Sequence, residues 1–305
     1  MKKLLTLLLV FAMSFAMVGC GEKKDDVLDI QFVPTNTADA DAVTADFEAY
    51  MEKLLDMDVK VTVATGYEAI PDAMESGTID VGIMPPATYV QARNIEGAIS
   101  ILSSTLVDYD KTTEQPIADS KVGDFKAEVI TLKDAPISSW KDLEGKTVAI
   151  LGAASASGFI YPAAEMADAG VDFDKVKFTV ISDVVSAIGA VVTGQVDACF
   201  TFEGSRFVFN NVVTDNAGNK VNLFDTCKAA ILSEGDIPND AIAVNPNMDD
   251  ELKAKVKKAF LDMASDPEGL EIMSAWGHTG YVESNEKAYD TIADFMDKAA
   301  KVEVK

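Results

Sequence analysis

The sequence predicts an α/β protein made of two lobes, with a helical tail at its C-terminus. Strand-like and helix-like segments alternate from residue 27 onward, which is typical of a parallel sheet with crossover helices. The pattern pauses and restarts near residue 132, so we expect two α/β units. The chain is also long enough, at 305 residues, to hold two hydrophobic cores.

The first unit reads as three strand–helix pairs. Its first helix carries Val43, Phe47, Met51 and Leu54 at helical spacing, which gives it one apolar face. Gly77 is a typical helix end, and the prolines after Met84 stop the third strand. We predict strands at 27–33, 59–64 and 79–84, and helices at 39–55, 69–76 and 88–94.

The second unit repeats this alternation and leads into the tail. We predict its strands at 126–132, 147–151, 177–181 and 196–201, and its helices at 139–143, 163–169 and 183–193. A late strand at 241–244 precedes tail helices at 249–264, 269–274 and 286–301. We expect the chain to cross between lobes at 128–132 and 240–244. Lobe 1 is then 27–131 plus 240–305 and lobe 2 is 132–239. A ligand would sit between them, at the carboxyl ends of the strands.

The N-terminus reads as an export signal. Two lysines precede an apolar stretch, so residues 1–19 are predicted to be a signal peptide. Residues 17–20, Met-Val-Gly-Cys, resemble the lipobox of bacterial lipoproteins, which implies a diacylglyceryl group on the sulfur of Cys20. Residues 20–26 would then form a lipidated tether at an extracytoplasmic membrane face. An ordinary secreted protein with a cysteine at this position is the alternative.

Charge and composition limit the partners. The net charge of −24 argues against nucleic acid and against anionic lipid headgroups. Arg93 and Arg206 are the only arginines, so an anion site would depend mainly on neutral donors. The single histidine, His278, lies in a glycine-bounded segment that we predict to be a surface turn, and we expect no metal, cofactor or catalytic residue. Cys199 and Cys227 could be two buried thiols or, in an exported chain, a disulfide.

An anion site is predicted where the strand at 147–151 runs into a Ser- and Gly-rich turn before a helix. The first N–H groups of a helix lack internal partners, and the helix dipole adds partial positive charge there. Ser155 and Ser157 could add hydroxyl donors, and Gly158 would let the backbone approach an anion closely. The alternative is that these serines only cap the helix.

Several short motifs, taken in order, resemble those of the periplasmic phosphate/phosphite/phosphonate-binding proteins that serve ABC importers. The similarity runs from about residue 28 to about residue 261. The motifs are Phe32-Val33-Pro34-Thr35, Gly66-Tyr67-Glu68-Ala69, 77–82 (GTIDVG), 86–90 (PATYV), Ser155-Ala156-Ser157-Gly158, 194–198 (GQVDA) and Ile237-Pro238-Asn239-Asp240. The resemblance implies a bilobed, type 2-like periplasmic-binding-protein fold.

The resemblance also implies roles for particular residues. Ser155, Ser157 and the N–H groups from Ala156 to Gly158 would hold the oxoanion, while Tyr67 and Tyr89 would donate phenolic hydroxyls. Glu203 and Asp240 would face the other end of the ligand. Two positions depart from the family: Ala156 replaces a threonine, and the region around Ile181 lacks the family's histidine. Two carboxylates favour a ligand that carries a proton or an ammonium group over sulfate.

The resemblance implies a lipid-anchored solute receptor without catalytic activity. It would bind phosphate, phosphite or a phosphonate as a monomer and deliver it to ABC permease and ATPase subunits. Two alternatives remain at this stage. One is an enzyme on the same scaffold, such as a pyrimidine-precursor synthase, although a single histidine and no nucleophile motif argue against it. The other is a sensing lipoprotein that needs no permease.

Overall fold

A computed structural model describes residues 27–32, 40–67, 69–181, 183–274 and 276–302. The predicted signal peptide and tether, Cys20, residues 33–35 of the first motif and Glu68 lie outside the described residues. The strands are β1 Val27–Phe32, β2 Asp58–Val63, β3 Val81–Met84, β4 Ile99–Tyr109, β5 Pro116–Val122, β6 Asp124–Phe125, β7 Ala127–Leu132, β8 Thr147–Ile150, β9 Lys177–Val180, β10 Ala198–Phe202, β11 Cys227–Leu232, β12 Ile237–Pro238, β13 Ala241–Val244 and β14 Gly280–Glu283.

Ten α-helices connect or cover these strands within the described residues. They are α1 Ala40–Leu55, α2 Ala69–Glu75, α3 Pro86–Asn94, α4 Tyr161–Asp168, α5 Val184–Val192, α6 Ser205–Val208, α7 Leu223–Thr226, α8 Asp250–Met263, α9 Pro267–Ser274 and α10 Glu286–Ala299. Residues Ala156–Ile160 form a wider, π-helical turn that leads directly into α4. Short 3₁₀ turns lie at Trp140–Leu143 and Phe173–Lys175.

The first sheet has the order β14-β4-β13-β3-β1-β2, and β5 pairs with β4. Strand β1 is parallel to both β2 and β3, while β13 runs antiparallel to β3 and β4. All four residues of β3 are buried, as expected for a central strand that is covered on both faces. One face packs on α1, α8 and α9 through Phe47, Met51 and Phe260.

The second sheet has the order β11-β7-β10-β8-β9. Strands β8, β9 and β10 are parallel, whereas β7 is antiparallel to β10 and β11. Residues 128–132 therefore lie inside the second sheet, although we expected them to cross between lobes. The chain instead passes between the sheets beside β6 and β12, which pair as a two-stranded ribbon. Strand β13, at 241–244, belongs to the first sheet.

The predicted bilobed α/β fold is confirmed, including the helical C-terminal tail. That tail also contributes a strand, β14, which pairs antiparallel with β4. Strands β4, β5 and β11 and the two-residue strands β6 and β12 were missed by the sequence prediction. Residues 103–105 of β4 are Ser-Ser-Thr, so the apolar pattern that marks a buried strand is interrupted there.

Helix α10 packs on both lobes. It contacts α3 of the first lobe and α4 of the second. Phe295 stacks on Tyr161 with ring centroids 4.3 Å apart, and Ile292 is fully buried in a cluster with residues of both lobes. None of the helices in the described ranges is both long enough and apolar enough to span a bilayer.

The two cysteines are free thiols, buried in the core of the second lobe. Cys199 lies on β10 and Cys227 on β11, on opposite sides of β7. Two strand spacings amount to roughly 9–10 Å, beyond the ~7 Å Cα separation that a disulfide tolerates. Burial raises the pKa of both thiols, that of Cys227 to about 11. The buried-thiol alternative is therefore the one that the structure favours.

Candidate functional site

The carboxyl edges of the two sheets approach each other beside the β6–β12 ribbon. In the second sheet, β8 ends at Ile150 before the Ser-rich turn, and the parallel strand β10 ends just before Glu203. In the first sheet, β3 ends at Met84, and Ala241 pairs with that residue in an antiparallel register. Asp240 therefore lies at the same edge as the start of α3. The topology brings the predicted site residues Glu203, Asp240 and the Ser-rich turn to facing edges.

The two serines of the Ser-rich turn differ in their hydrogen bonds. Ser155 is the N-cap: its Oγ accepts the N–H of Gly158 at 3.1 Å. Ser157 is only 8% exposed, and its hydroxyl has no hydrogen-bond partner among the described residues. The N–H groups of Ala156 and Ser157, at the first positions of the helical turn, also have none within that part of the chain. These three donors can meet an oxoanion that enters from the cleft.

Gly158 is needed for packing within the second lobe. A Cβ at this position would lie 2.6 Å from both Cβ and Cγ of Leu151 and 2.7 Å from Oγ of Ser155. We expected the missing side chain to permit backbone approach to an anion. The structure shows that glycine is already required by the close contact between the helical turn and the end of β8.

Tyr67 and Asp240 lie near each other at the edge of the first sheet. Burial raises the pKa of the Tyr67 hydroxyl, and the carboxylate of Asp240 raises it further. Tyr67 nevertheless keeps 37% of its surface exposed. Protein surrounds part of the side chain while another part meets solvent, which is the environment of a cleft wall. The ligand contacts of Tyr67 and Asp240 stay predictions.

His278 is buried, so the prediction of a surface turn was wrong. It retains 2% of its surface, and its Nε2 lies 3.2 Å from Oδ2 of Asp240. Its Nδ1 lies 3.4 Å from the hydroxyl oxygen of Tyr281. Gly277, with φ +80°, does make the turn that we expected, but the turn directs the imidazole inward. The glycines that flank His278 indicate a turn without indicating which way its side chain points.

Tyr89 is placed in the interior of the first lobe. It is 1% exposed, and its hydroxyl donates to Glu286 at 2.7 Å and accepts the N–H of Ser100 at 3.0 Å. Burial and then the bond to Glu286 raise the pKa of Tyr89. Its hydroxyl already has two partners, so this geometry gives no support to the predicted ligand contact.

Glu203 is buried and paired across the lobes. Its two carboxylate oxygens lie 2.7 and 3.0 Å from Nζ of Lys111, in the turn between β4 and β5. The N–H of Lys126 donates to the same carboxylate at 3.1 Å. Lys111 therefore neutralises Glu203. Asp240, the carboxylate that faces the cleft, has no lysine or arginine partner among the described ion pairs.

Arg206, the second arginine, is buried and paired with a carboxylate of the first lobe. Its guanidinium pairs with Glu114, and its Nη1 donates to the carbonyl oxygen of Cys227 at 2.7 Å. Thr88, in the 86–90 motif, lies in the first turn of α3 with a buried Oγ1 that has no partner among the described residues. The described ranges contain no group of His, Cys, Asp and Glu side chains that could hold a metal ion.

Two surface depressions lie elsewhere. One, of about 430 Å³, is lined by α1 and α9 residues that include Tyr50 and Glu268. The other, of about 610 Å³, is lined by residues 171–178 and the end of the chain at Val302. Neither is lined by a predicted site residue, so the chemistry of the facing sheet edges, and not cavity size, defines the candidate site.

Solved structures of similar fold include several binding proteins. The chain is similar to XAC2383 from Xanthomonas citri bound to chloride, with 14% identity, TM-score 0.72 and coverage of 91% of this chain and 98% of that one. A binding protein component of an ABC phosphonate transporter from Pseudomonas aeruginosa matches at 19% identity and TM-score 0.68, covering 90% and 93%. PhnD1 from Prochlorococcus marinus, in complex with methylphosphonate, matches at 17% identity and TM-score 0.67, covering 91% and 99%.

These similarities confirm the fold, and a family model identifies the family. The model described as "ABC transporter, phosphonate, periplasmic substrate-binding protein" matches residues 30–289, most of the chain. Members of this family bind substrates for a transporter and are not enzymes. The chain belongs to the family of periplasmic substrate-binding proteins of phosphonate ABC transporters.

Proposed function

We propose that the protein binds a small phosphorus oxoanion, namely phosphate, phosphite or a phosphonate, between its lobes and delivers it to ABC permease and ATPase subunits. The observation that carries this proposal is the set of unpaired donors in the Ser-rich turn. The hydroxyl of Ser157 and the N–H groups of Ala156 and Ser157 have no partners among the described residues. They begin a helix that follows a buried parallel strand, the position where backbone donors and the helix dipole favour an anion.

The carboxylates refine the proposed ligand. Lys111 already neutralises Glu203, so Glu203 is not free to bind an ammonium group. Asp240 stays available at the opposite edge, where it would accept the proton of a monohydrogen oxoanion. Tyr67, beside Asp240, would donate its phenolic hydroxyl. This arrangement favours an oxoanion that carries a hydroxyl, or a phosphonate that carries an ammonium group, over sulfate.

The similarity to PhnD1 of Prochlorococcus marinus, solved with methylphosphonate, supports the same class of ligand. The test is isothermal titration calorimetry of the processed protein with phosphate, phosphite, methylphosphonate, 2-aminoethylphosphonate and sulfate. A ligand at 100 times its Kd should also stabilise the folded state by roughly 2.7 kcal/mol in thermal unfolding. Failure of all four phosphorus compounds to bind would refute the proposal.

We also propose that the protein is a monomer held at the membrane by a lipid on Cys20. The lipobox-like sequence Met17 to Cys20 supports the lipid anchor. Cys20→Ala should release the protein from the membrane fraction or leave an unprocessed precursor. Metabolic labelling with a tagged fatty acid should mark the wild type and not this variant. Labelling of the Cys20→Ala protein would place the lipid on another residue. If neither protein is labelled, the proposed lipid anchor is refuted.

A further inference from the structure

We propose that His278 is a positioning residue that holds Asp240 as a hydrogen-bond acceptor toward the cleft, and that it thereby sets selectivity for oxoanions that carry a hydroxyl. The proposal rests on the proposed function, because it assumes that Asp240 meets the ligand. His278 lies outside the sequence motifs of the site and was not among the residues predicted to contact the ligand.

The first step is the geometry of the side chains. Nε2 of His278 lies 3.2 Å from Oδ2 of Asp240, and the other carboxylate oxygen of Asp240 has no partner among the described residues. The Asp240 side chain is 22% exposed, whereas that of His278 is 1% exposed. One carboxylate oxygen is therefore held from the protein side, which leaves Oδ1 for a group that arrives from solvent.

The second step is the direction of the hydrogen bonds. A carboxylate can only accept, so Nε2 of His278 carries the proton of this bond. With this one proton on the ring, Nδ1 is the acceptor, and its neighbour is the hydroxyl of Tyr281 at 3.4 Å. Burial raises the pKa of Tyr281, which keeps this hydroxyl protonated. The hydroxyl of Tyr281 thus donates to His278, and His278 donates to Asp240.

The third step is the support of the imidazole. The ring of His278 meets the rings of Trp276 and Tyr281 nearly edge-on, at interplanar angles of 85° and 90°. The backbone after it is fixed, because the N–H of Thr279 donates to the carbonyl oxygen of Thr105 at 2.8 Å. Strand β14 continues that pairing with β4. The imidazole is thus held by buried aromatic rings and by the first sheet.

The consequence concerns the ligand. Within the described part of the chain, Asp240 interacts with His278 and with the tyrosines 67, 281 and 289, and no lysine or arginine forms an ion pair with it. An acceptor-only carboxylate favours a ligand hydroxyl, as in monohydrogen phosphate. It leaves sulfate with two facing acceptors and no proton between them. A site discriminates between similar ligands when the wrong ligand leaves a buried polar group without its hydrogen-bond partner.

The first test uses the fact that the chain has one histidine. In untagged protein labelled with ¹⁵N-histidine, the imidazole signals report this ring alone. We expect the tautomer with a proton on Nε2, and we expect Asp240→Asn to shift both ring signals. A ring protonated on Nδ1 only, or signals that Asp240→Asn leaves unchanged, would overturn the proposal.

The second test measures selectivity as the ratio of sulfate Kd to phosphate Kd, obtained by competition calorimetry. His278→Leu removes the donor, and we expect this ratio to fall about tenfold, the size of one net hydrogen bond. His278→Gln keeps an amide donor and should restore the ratio to within about threefold. A residue that only fills space would change both affinities in proportion, so an unchanged ratio in His278→Leu refutes the proposal.

The two levels of failure can be told apart. If wild-type protein binds no phosphorus oxoanion, the proposed function fails first. If it binds phosphate and the ratio does not respond to His278, only the role of His278 fails. Should His278→Leu not fold, as judged by its thermal transition, the His278→Gln ratio and the ¹⁵N spectra of the wild type and Asp240→Asn decide the question.

Discussion

The guanidinium of Arg206 and the carboxylate of Glu114 form a buried ion pair that joins the two lobes. Nε of Arg206 donates to Oε2 of Glu114 at 2.8 Å, and Nη2 donates to Oε1. Glu114 is in the turn between β4 and β5 of the first lobe, and Arg206 is on α6 of the second. Both residues are at most 9% exposed. With Lys111 and Glu203, the pair ties this turn to the second lobe.

Removing one partner of this pair should strongly destabilise the protein. Glu114→Ala leaves the guanidinium of Arg206 buried with only a carbonyl oxygen as its acceptor. We expect the free energy of unfolding to fall by about 3–5 kcal/mol, measured by urea denaturation. The double variant with Arg206→Met should lose less than the sum of the single losses, because the variants share one interaction.

An exposed ion pair provides the matched control. Lys53 and Glu268 approach to 3.9 Å with side chains that are 73% and 67% exposed. Lys53→Met should change the free energy of unfolding by less than about 1 kcal/mol. If Glu114→Ala proved as mild as Lys53→Met, the buried pair would not hold the lobes together.

Glu128, beside this pair, should make stability depend on pH. It lies on β7 with no exposed surface; Oε2 accepts the N–H of Gly204 at 3.0 Å, and Oε1 has no partner among the described residues. Burial, and then the charge of Glu114, raise the pKa of Glu128 well above its ordinary 4.5. The folded state therefore keeps a proton that the unfolded chain releases above that pH.

The sign of the effect follows from proton linkage. The stabilisation from the protonated Glu128 is complete below pH 4.5 and is lost as the pH rises toward the raised pKa. Glu128→Gln removes this dependence, because its amide does not titrate. Relative to wild type, the variant should gain up to about 1.4 kcal/mol per pH unit in that window. Urea unfolding at several pH values from 4.5 upward would test this. A constant difference across the range would contradict it.

Many helices and strands could be predicted from the sequence because each has its own local signal. Helix α8, for instance, has an N-cap aspartate and an apolar face, and β3 is a short apolar strand before a proline. The hinge has no such signal. β6 and β12 are two residues each, and their pairing depends on where the larger sheets place them. The crossing was therefore predicted a few residues too late.

The candidate site likewise contains features that have a local sequence signal and features that have none. The Ser-rich turn was predictable, since a strand, a serine cap and a glycine follow one another in sequence. The partners of Glu203, Arg206 and His278 were not, because Lys111, Glu114 and Asp240 lie between 38 and 92 positions away along the chain. The β4–β5 turn, whose position is set by the whole first sheet, supplies the partners of Glu203 and Arg206.

Ligand binding should bring the lobes closer together around the β6–β12 ribbon. Asn239 fixes this ribbon: its N–H donates to Gly123, and its Nδ2 donates to Val122 at 2.9 Å and to Ser104 at 3.2 Å. We expect small-angle scattering to give a smaller radius of gyration in saturating phosphate than without ligand. Equal concentrations of chloride provide the ionic control. An unchanged radius under saturation shown by calorimetry would exclude closure of the lobes.

The two serines of the anion site should separate binding from stability. Ser157 offers a hydroxyl without a partner among the described residues, so Ser157→Ala should raise the Kd for phosphate ten- to a hundredfold, the value of a donor to a charged acceptor (about 1.5–3 kcal/mol). Its free energy of unfolding should stay near that of wild type. Ser155 caps the turn through Gly158, so Ser155→Ala should instead cost about 1 kcal/mol of stability.

Gly158 cannot serve as a binding test, because even alanine at this position would push against Leu151 and lower stability by about 1–3 kcal/mol. Calorimetry on the two serine variants at two ionic strengths completes the experiment. Binding by oriented neutral donors should weaken only slightly with salt, since screening acts mainly on exposed charges. Wild-type affinity in Ser157→Ala would place the anion elsewhere. A steep loss of affinity with salt would assign the anion to exposed lysines, because the donors of the turn lie in a buried segment that salt screens little.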